Sequence, residues 1–108
     1  MKIVVKALVA TAGMLFALGA QAADPKAGEA LTKSNGCVAC HQMDKKVVGP
    51  GFKEIAAKYR GQKNAEADLV KKVKAGGKGV WGDMAMPPNA HVKDDDIKSM
   101  VQWILTLK

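Results

Sequence analysis

Apolar residues repeat at helical spacing in four separate stretches, and nowhere do they alternate. The clearest stretch is the last, where Ile97, Met100, Val101, Ile104 and Leu105 fall at i, i+3, i+4, i+7 and i+8. They form one stripe of a helix predicted over Asp94–Leu107. Asp94, Asp95 and Asp96 crowd its start, where carboxylates meet the positive end of the helix dipole. Leu69, Val70 and Val73 share a face of a helix over Ala65–Ala75, with Asn64 as its cap, Glu66 in its first turn and Gly76-Gly77 as its stop. Phe52, Ile55, Ala56 and Tyr59 share a face over Phe52–Tyr59. The first stripe is short: Ala27, Ala30 and Leu31, between a cap and N1 proline at Asp24-Pro25 and a stop at Asn35-Gly36. Gly49-Pro50-Gly51 marks a loop, and Lys78 to Val92 has no period but many glycines and prolines. The pattern predicts an all-α domain of about four helices, with that long loop held against something.

The first residues do not belong to this pattern. Lys2 and Lys6 precede an uncharged run of 14 residues, Ala7 to Ala20, and Ala20-Gln21-Ala22 supplies small residues where a signal peptidase cuts. The run is shorter than the ~20 residues a membrane-crossing helix needs. Residues 1–22 are therefore expected to be a cleaved secretory signal, and 23–108 the domain. A domain that small seldom stands on its own core and often needs a staple. Cys37 and Cys40 lie three apart, so a disulfide between them would close almost no loop and stabilise little.

Removing Lys2 and Lys6 lowers the formal net charge from +7 to +5. The remaining lysines are scattered and Arg60 is the single arginine, with no helix-turn-helix or aromatic platform. Nucleic acid is thereby disfavoured, and the charge fits a solvated surface that steers docking to a protein.

The chemistry lies in Cys37-Val38-Ala39-Cys40-His41, the C-x-x-C-H signature of haem c attachment. Two thiols on one turn reach the two vinyl groups of one haem, and the following imidazole falls beneath the iron. A thioredoxin-like pair needs a βαβ context, which is missing. A zinc site needs four ligands, and the second histidine, His91, is fifty residues away. A large apolar cofactor is also the staple the small domain lacks.

The sixth ligand decides what such a haem does, because a thioether fills the iron and suits electron transfer while an open position suits ligand binding. Met43 is too close to His41 to reach the opposite face, and Met100 lies on the apolar stripe of the last helix. His91 is a lone histidine of the kind usually found on a surface. Met84 and Met86 lie in the long loop. Pro87-Pro88 favours Met86, since a stiff segment after the ligand holds the loop in one shape.

Gly36-Cys37-Val38-Ala39-Cys40-His41, Val48-Gly49-Pro50, Gly79-Val80-Trp81-Gly82, Met86-Pro87-Pro88-Asn89 and Trp103-Ile104-Leu105 together resemble the small bacterial class I cytochromes c of the c-551/c-552 type. The resemblance spans residues 23–108 and implies that family's fold around one covalent haem c. It implies Met86 as the axial partner of His41, and Pro50 as the carbonyl that accepts the other ring N–H of His41. It also implies Asn89 holding the Met86 sulfur and Trp81 donating to a haem propionate. Lys72 stands where relatives commonly carry arginine for that propionate, and lysine cannot make the same fork. Asp83 replaces a usual proline, and His91 sits in a one-residue insertion. Trp103 is expected to pack in the core.

The implied function is a monomeric, periplasmic, one-electron carrier that makes no substrate bond. Its redox partners would dock at the exposed haem edge, among them a terminal reductase or oxidase such as nitrite reductase. Val38, Val47, Val48, Pro87 and Pro88 would form an apolar rim, ringed by Lys45, Lys46 and Lys78. A haem enzyme or gas sensor is the rival class, and it requires Met86 to be off the iron or labile.

Overall fold

The computed structural model describes residues 24–108, so the secretory signal expected at 1–22 lies outside the described residues. Four α-helices follow in order: α1 Pro25–Ser34, α2 Phe52–Tyr59, α3 Ala65–Ala75 and α4 Asp94–Thr106, with one 3₁₀ turn at Cys37–Ala39. Among the described residues there is no strand, and two isolated bridges pair His41 with Lys46 and Gly77 with Met86. The all-α class and the four predicted spans match, each to within a residue at its ends.

The core forms where α4 meets the other helices. Ile97, Met100 and Val101 of α4 are almost fully buried and cluster with Tyr59, Ala65, Leu69 and Val92. Two tethers fix the start of α4. Lys74 Nζ, near the end of α3, pairs with Asp94 at 2.9 Å and donates to the Val92 carbonyl at 2.6 Å. Ser99 Oγ, buried in α4, accepts the Asp24 N–H at 3.0 Å and so ties α1 to it.

Two local expectations are corrected. In α1 the predicted stripe is wrong: Ala27 and Ala30 face solvent, Leu31 is half-buried, and Gly28 and Thr32 are the buried residues. The two helices cross so closely that a Cβ on Gly28 would strike the Ser99 carbonyl oxygen and the Trp103 Cβ. Absence of a side chain, not hydrophobicity, selects that face. Asn64 does not cap α3 with its side chain, because its φ of −103° and ψ of 15° belong to a turn and not to an extended cap. The chain instead enters α3 by backbone bonds, Ala65 N–H to Gln62 at 3.3 Å and Asp68 N–H to Asn64 at 2.9 Å. Asp24, by contrast, caps α1 as expected, accepting the Lys26 N–H at 2.9 Å.

Candidate functional site

A deep cleft opens beside the core, with about 1190 Å³ of space free of protein atoms, its mouth included. Its walls are largely apolar. Leu69, Val73, Met100, Val101 and Ile104 form the helical side, and Val48, Val80 and Pro87 belong to the loops. Into this cleft the chain brings Cys37, Cys40, His41, Lys72, Trp81, Met84 and Met86. It thus gathers residues spread from position 37 to position 86, which is what a single bound group requires.

One wall carries Cys37, Cys40 and His41. The 3₁₀ turn presents both cysteines, half-buried and unpaired. The Cys40 N–H bonds to the Cys37 carbonyl at 3.2 Å and the His41 N–H to the same oxygen at 2.9 Å, so the three residues form one compact unit. Burial pushes the Cys37 thiol up, opposed by a backbone hydrogen bond, and the neighbouring Cys40 raises it further. Thiol–disulfide catalysts need the opposite, a depressed thiol.

His41 is held by main chain. Its Nδ1 lies 2.7 Å from the Pro50 carbonyl, so Nδ1 is the donor and Nε2 is the ring nitrogen left for a metal. Gly49 lies flat against the ring: a Cβ there would sit 2.6 Å from Cε1 and 3.0 Å from Nδ1. Phe52 stacks on the ring at 5.6 Å between centroids and meets Trp103 edge-on at 5.5 Å. Backbone bonds from Gly49 to Cys40 (2.9 Å), Phe52 to Gln42 (2.8 Å) and Lys53 to Met43 (3.0 Å) close this loop on itself.

The 76–89 segment carries the two loop methionines. Met86 and Gly77 exchange two backbone hydrogen bonds, of 2.8 and 3.1 Å. Gly76 ends α3 with φ 71°, and a Cβ there would lie 2.5 Å from the Met86 carbonyl oxygen, so glycine is needed for both turn and approach. Met86 is half-buried, whereas Met84 is 68% exposed at the mouth. Met100 is buried in α4, with its sulfur 4.0 Å from the Cys37 sulfur.

These features decide the family. The sequence pattern of the cytochrome c family matches residues 25–108. Cytochrome c-551 of Pseudomonas aeruginosa is 52% identical over 101 residues, 94% of this chain and 92% of that protein. Cytochrome c-552 of Hydrogenobacter thermophilus is 42% identical over 107 residues, covering 99% of this chain and 98% of its own length. The crystal structure of wild-type Nitrosomonas europaea cytochrome c552 superposes with a TM-score of 0.72 at 52% identity, covering 74% of this chain and 99% of that one. The chain belongs to the class I cytochromes c, of the c-551/c-552 type. It is a monohaem electron carrier, with haem c held through Cys37, Cys40 and His41.

The cytochrome's residues fit that group. Both thiols, an imidazole whose Nδ1 is taken by the Pro50 carbonyl, and an apolar cleft lie together, which is the donor set and the surroundings haem c takes. The loop residues around the site make further contacts. Asn89 Nδ2 donates to the carbonyls of Val73 at 3.1 Å and Pro87 at 3.3 Å. The Val73 carbonyl is left without a helical partner where Gly76 ends α3, and the amide satisfies it. Trp81 lines the mouth, 37% exposed, with Lys58 Nζ 5.4 Å from its ring centroid in a cation–π contact that no motif discloses. Val48 and Pro87 line the mouth, and Val38 lines an adjoining groove with Gln42, Met43 and Trp103. Sequence reasoning missed Val80 at the mouth, where it lies exposed with Met84. Their stretch has no period, and only a loop's fold tells which of its residues meet the cleft. Trp103 is half-buried against Phe52, in keeping with packing. Among the described residues no helix is long and apolar enough to cross a membrane.

Proposed function

We propose that this cytochrome shuttles single electrons in the periplasm between respiratory redox proteins, with Met86 as the sixth ligand opposite His41. The acceptor is a terminal reductase or oxidase such as nitrite reductase. Haem iron supplies the redox chemistry, and the protein sets its potential through axial ligand, burial and hydrogen bonds. Export is supported by Lys2, Lys6, the uncharged Ala7–Ala20 run and the small residues before Ala23.

The observation that carries the reading is the anchoring of Met86. Its backbone is paired on both sides with Gly77, its neighbour Pro87 is held through the carbonyl by Asn89, and the residue itself lines the cleft. Met100 is the wrong sulfur, since it packs in the helical core against Cys37, on the side where the haem is attached. Met84 has no backbone hydrogen bond among the described residues. A ligand carried on a fixed backbone stays on the iron in both oxidation states, as a carrier needs.

Trp81 and Lys72 are proposed to meet the propionates at the mouth. Val48, Val80, Met84 and Pro87 form the apolar rim against which a partner docks, with Lys45, Lys46 and Lys78 steering the approach. The protein acts as a monomer.

Met86→Ala tests the ligand: it should abolish the weak far-red sulfur-to-ferric-iron band, lower the potential and let carbon monoxide bind the reduced protein. Met84→Leu should leave all three nearly unchanged. The reverse pattern would assign the ligand to Met84. Fast carbon monoxide binding by the unaltered protein would replace the carrier by a sensor or enzyme.

A further inference from the structure

Met84 stands apart from every other methionine described. It is 68% exposed, while Met43 and Met86 are half-buried and Met100 is 3% exposed. It lies at the mouth of the cleft beside Val80 and Trp81, themselves exposed, so its thioether belongs to the surface a partner would cover. Residues 83–85 make no backbone hydrogen bond among the described residues, whereas Met86 just beyond is paired twice to Gly77. A chemical change at Met84 can therefore be accommodated without breaking a bond of the fold or loosening Met86.

We propose that Met84 is a reversible oxidation site for peroxide, which takes the oxidant before Met86 and switches the docking rim from apolar to polar. A lone pair on the Met84 sulfur attacks one oxygen of hydrogen peroxide and the O–O bond breaks. The departing hydroxide takes the proton of the transferred hydroxyl and becomes water. Sulfur loses two electrons to the peroxide and is left as sulfoxide, which a dithiol-dependent sulfoxide reductase can return to thioether. The sulfoxide is polar and must be dehydrated whenever a partner covers the rim, which weakens the encounter. The ligand two residues away is spared because its backbone and half-buried side chain stay in place. The switch rests on the docking rim proposed above; the order of oxidation does not.

The test uses the haem-loaded protein and limiting hydrogen peroxide, with peptide mapping by mass spectrometry, and reads docking as electron self-exchange between ferrous and ferric copies by NMR. Met84 should gain one oxygen before Met43, Met86 or Met100, with the far-red band and the potential intact. Self-exchange should then slow on the order of fivefold or more, and a sulfoxide reductase should restore it. Met84→Leu should keep its self-exchange rate under the same dose. Oxidation first at Met43 or Met86 overturns the proposal. So does a Met84 sulfoxide that leaves self-exchange unchanged, and Val48→Ser then says which idea failed. If Val48→Ser slows self-exchange, the rim stands and only the switch is lost; if it does not, the rim itself is wrong.

Discussion

Replacing Gly49 by alanine presses directly on the haem-bearing histidine. The added Cβ would lie 2.6 Å from Cε1, 3.0 Å from Nδ1 and 3.3 Å from Nε2 of His41. Carbon atoms in ordinary contact stand about 3.5–4.0 Å apart, so the ring has to retreat by roughly 1 Å. Gly49 is not among the glycines with positive φ, so alanine brings no backbone strain and the effect is steric alone. Retreat lengthens the 2.7 Å bond from Nδ1 to the Pro50 carbonyl, a bond of the kind worth about 1 kcal/mol. Overpacking of a tight site adds about 1–3 kcal/mol. A loss on the order of 2–3 kcal/mol is expected, readable as a lower midpoint in guanidinium unfolding of the ferric protein.

The potential should move as well, and in a definite direction. The Pro50 carbonyl draws on the Nδ1 proton and makes the imidazole a more basic ligand, which favours ferric iron. Weakening it favours ferrous iron, so the potential should rise. For a one-electron couple about 59 mV is a tenfold change, hence roughly 40 mV per kcal/mol, and a partly lost bond gives about 10–40 mV. Gly61→Ala is the control: at φ 82° with nothing within 4 Å of a Cβ, it is strained but far from the ring. It should cost about 1–2 kcal/mol and leave the potential alone. A Gly49→Ala protein with both midpoint and potential unchanged would refute the ring's dependence on Gly49.

Three further outcomes are expected. Gly28→Ala forces a Cβ onto the Ser99 carbonyl and Trp103 Cβ, atoms that cannot swing away, and should lower Tm by several degrees for about 1–3 kcal/mol; an unchanged melt would disprove the close α1–α4 crossing. Lys74, first through its hydrogen bond and then through its charge, holds the Asp94 carboxyl below its ordinary 3.8. The stability from this depressed carboxyl is present above pH 3.8 and fades as pH falls through the lower folded value, so Asp94→Asn should flatten the acid limb of an unfolding titration. Electron transfer to the natural acceptor should slow as salt rises, since steering by Lys45, Lys46 and Lys78 is screened over about 8–10 Å at physiological ionic strength; a flat response would leave the apolar rim as sole determinant.

What the sequence discloses depends on how local each requirement is. The C-x-x-C-H unit must be contiguous because one haem fixes the spacing of its attachments, so it is readable without a fold. The stripes of α2, α3 and α4 are readable because each buries large side chains against the others. The α1 face is not, since what packs there is Gly28 against backbone, and a missing side chain leaves no hydrophobic period. For Asn89 the resemblance implies only a role toward the Met86 sulfur. The fold adds the open carbonyl of Val73 at the end of α3, which takes its amide. The rim lies in loops without a period, and Val80 and Met84, exposed at the mouth, are not among the rim residues the sequence suggests.

The two sides of the cleft are held by different means, and the difference bears on carrier against sensor. On the His41 side, backbone bonds between 40–43 and 49–53 bracket the imidazole, and Gly49, Pro50 and Phe52 leave it one orientation. On the Met86 side, rigidity is borrowed from α3: Gly77 is paired with Met86, Asn89 spans Val73 and Pro87, and Lys74 reaches Val92 and Asp94. A gas sensor needs at least one side that yields, so that the iron can exchange its ligand. Here the yielding residues, 83–85, lie beside the proposed ligand and not at it. Freedom is thus given to the surface that meets partners and withheld from the atoms that would meet iron. That distribution of constraint favours a protein that passes electrons over one that binds gases, and it locates where an oxidant can act without unmaking the site.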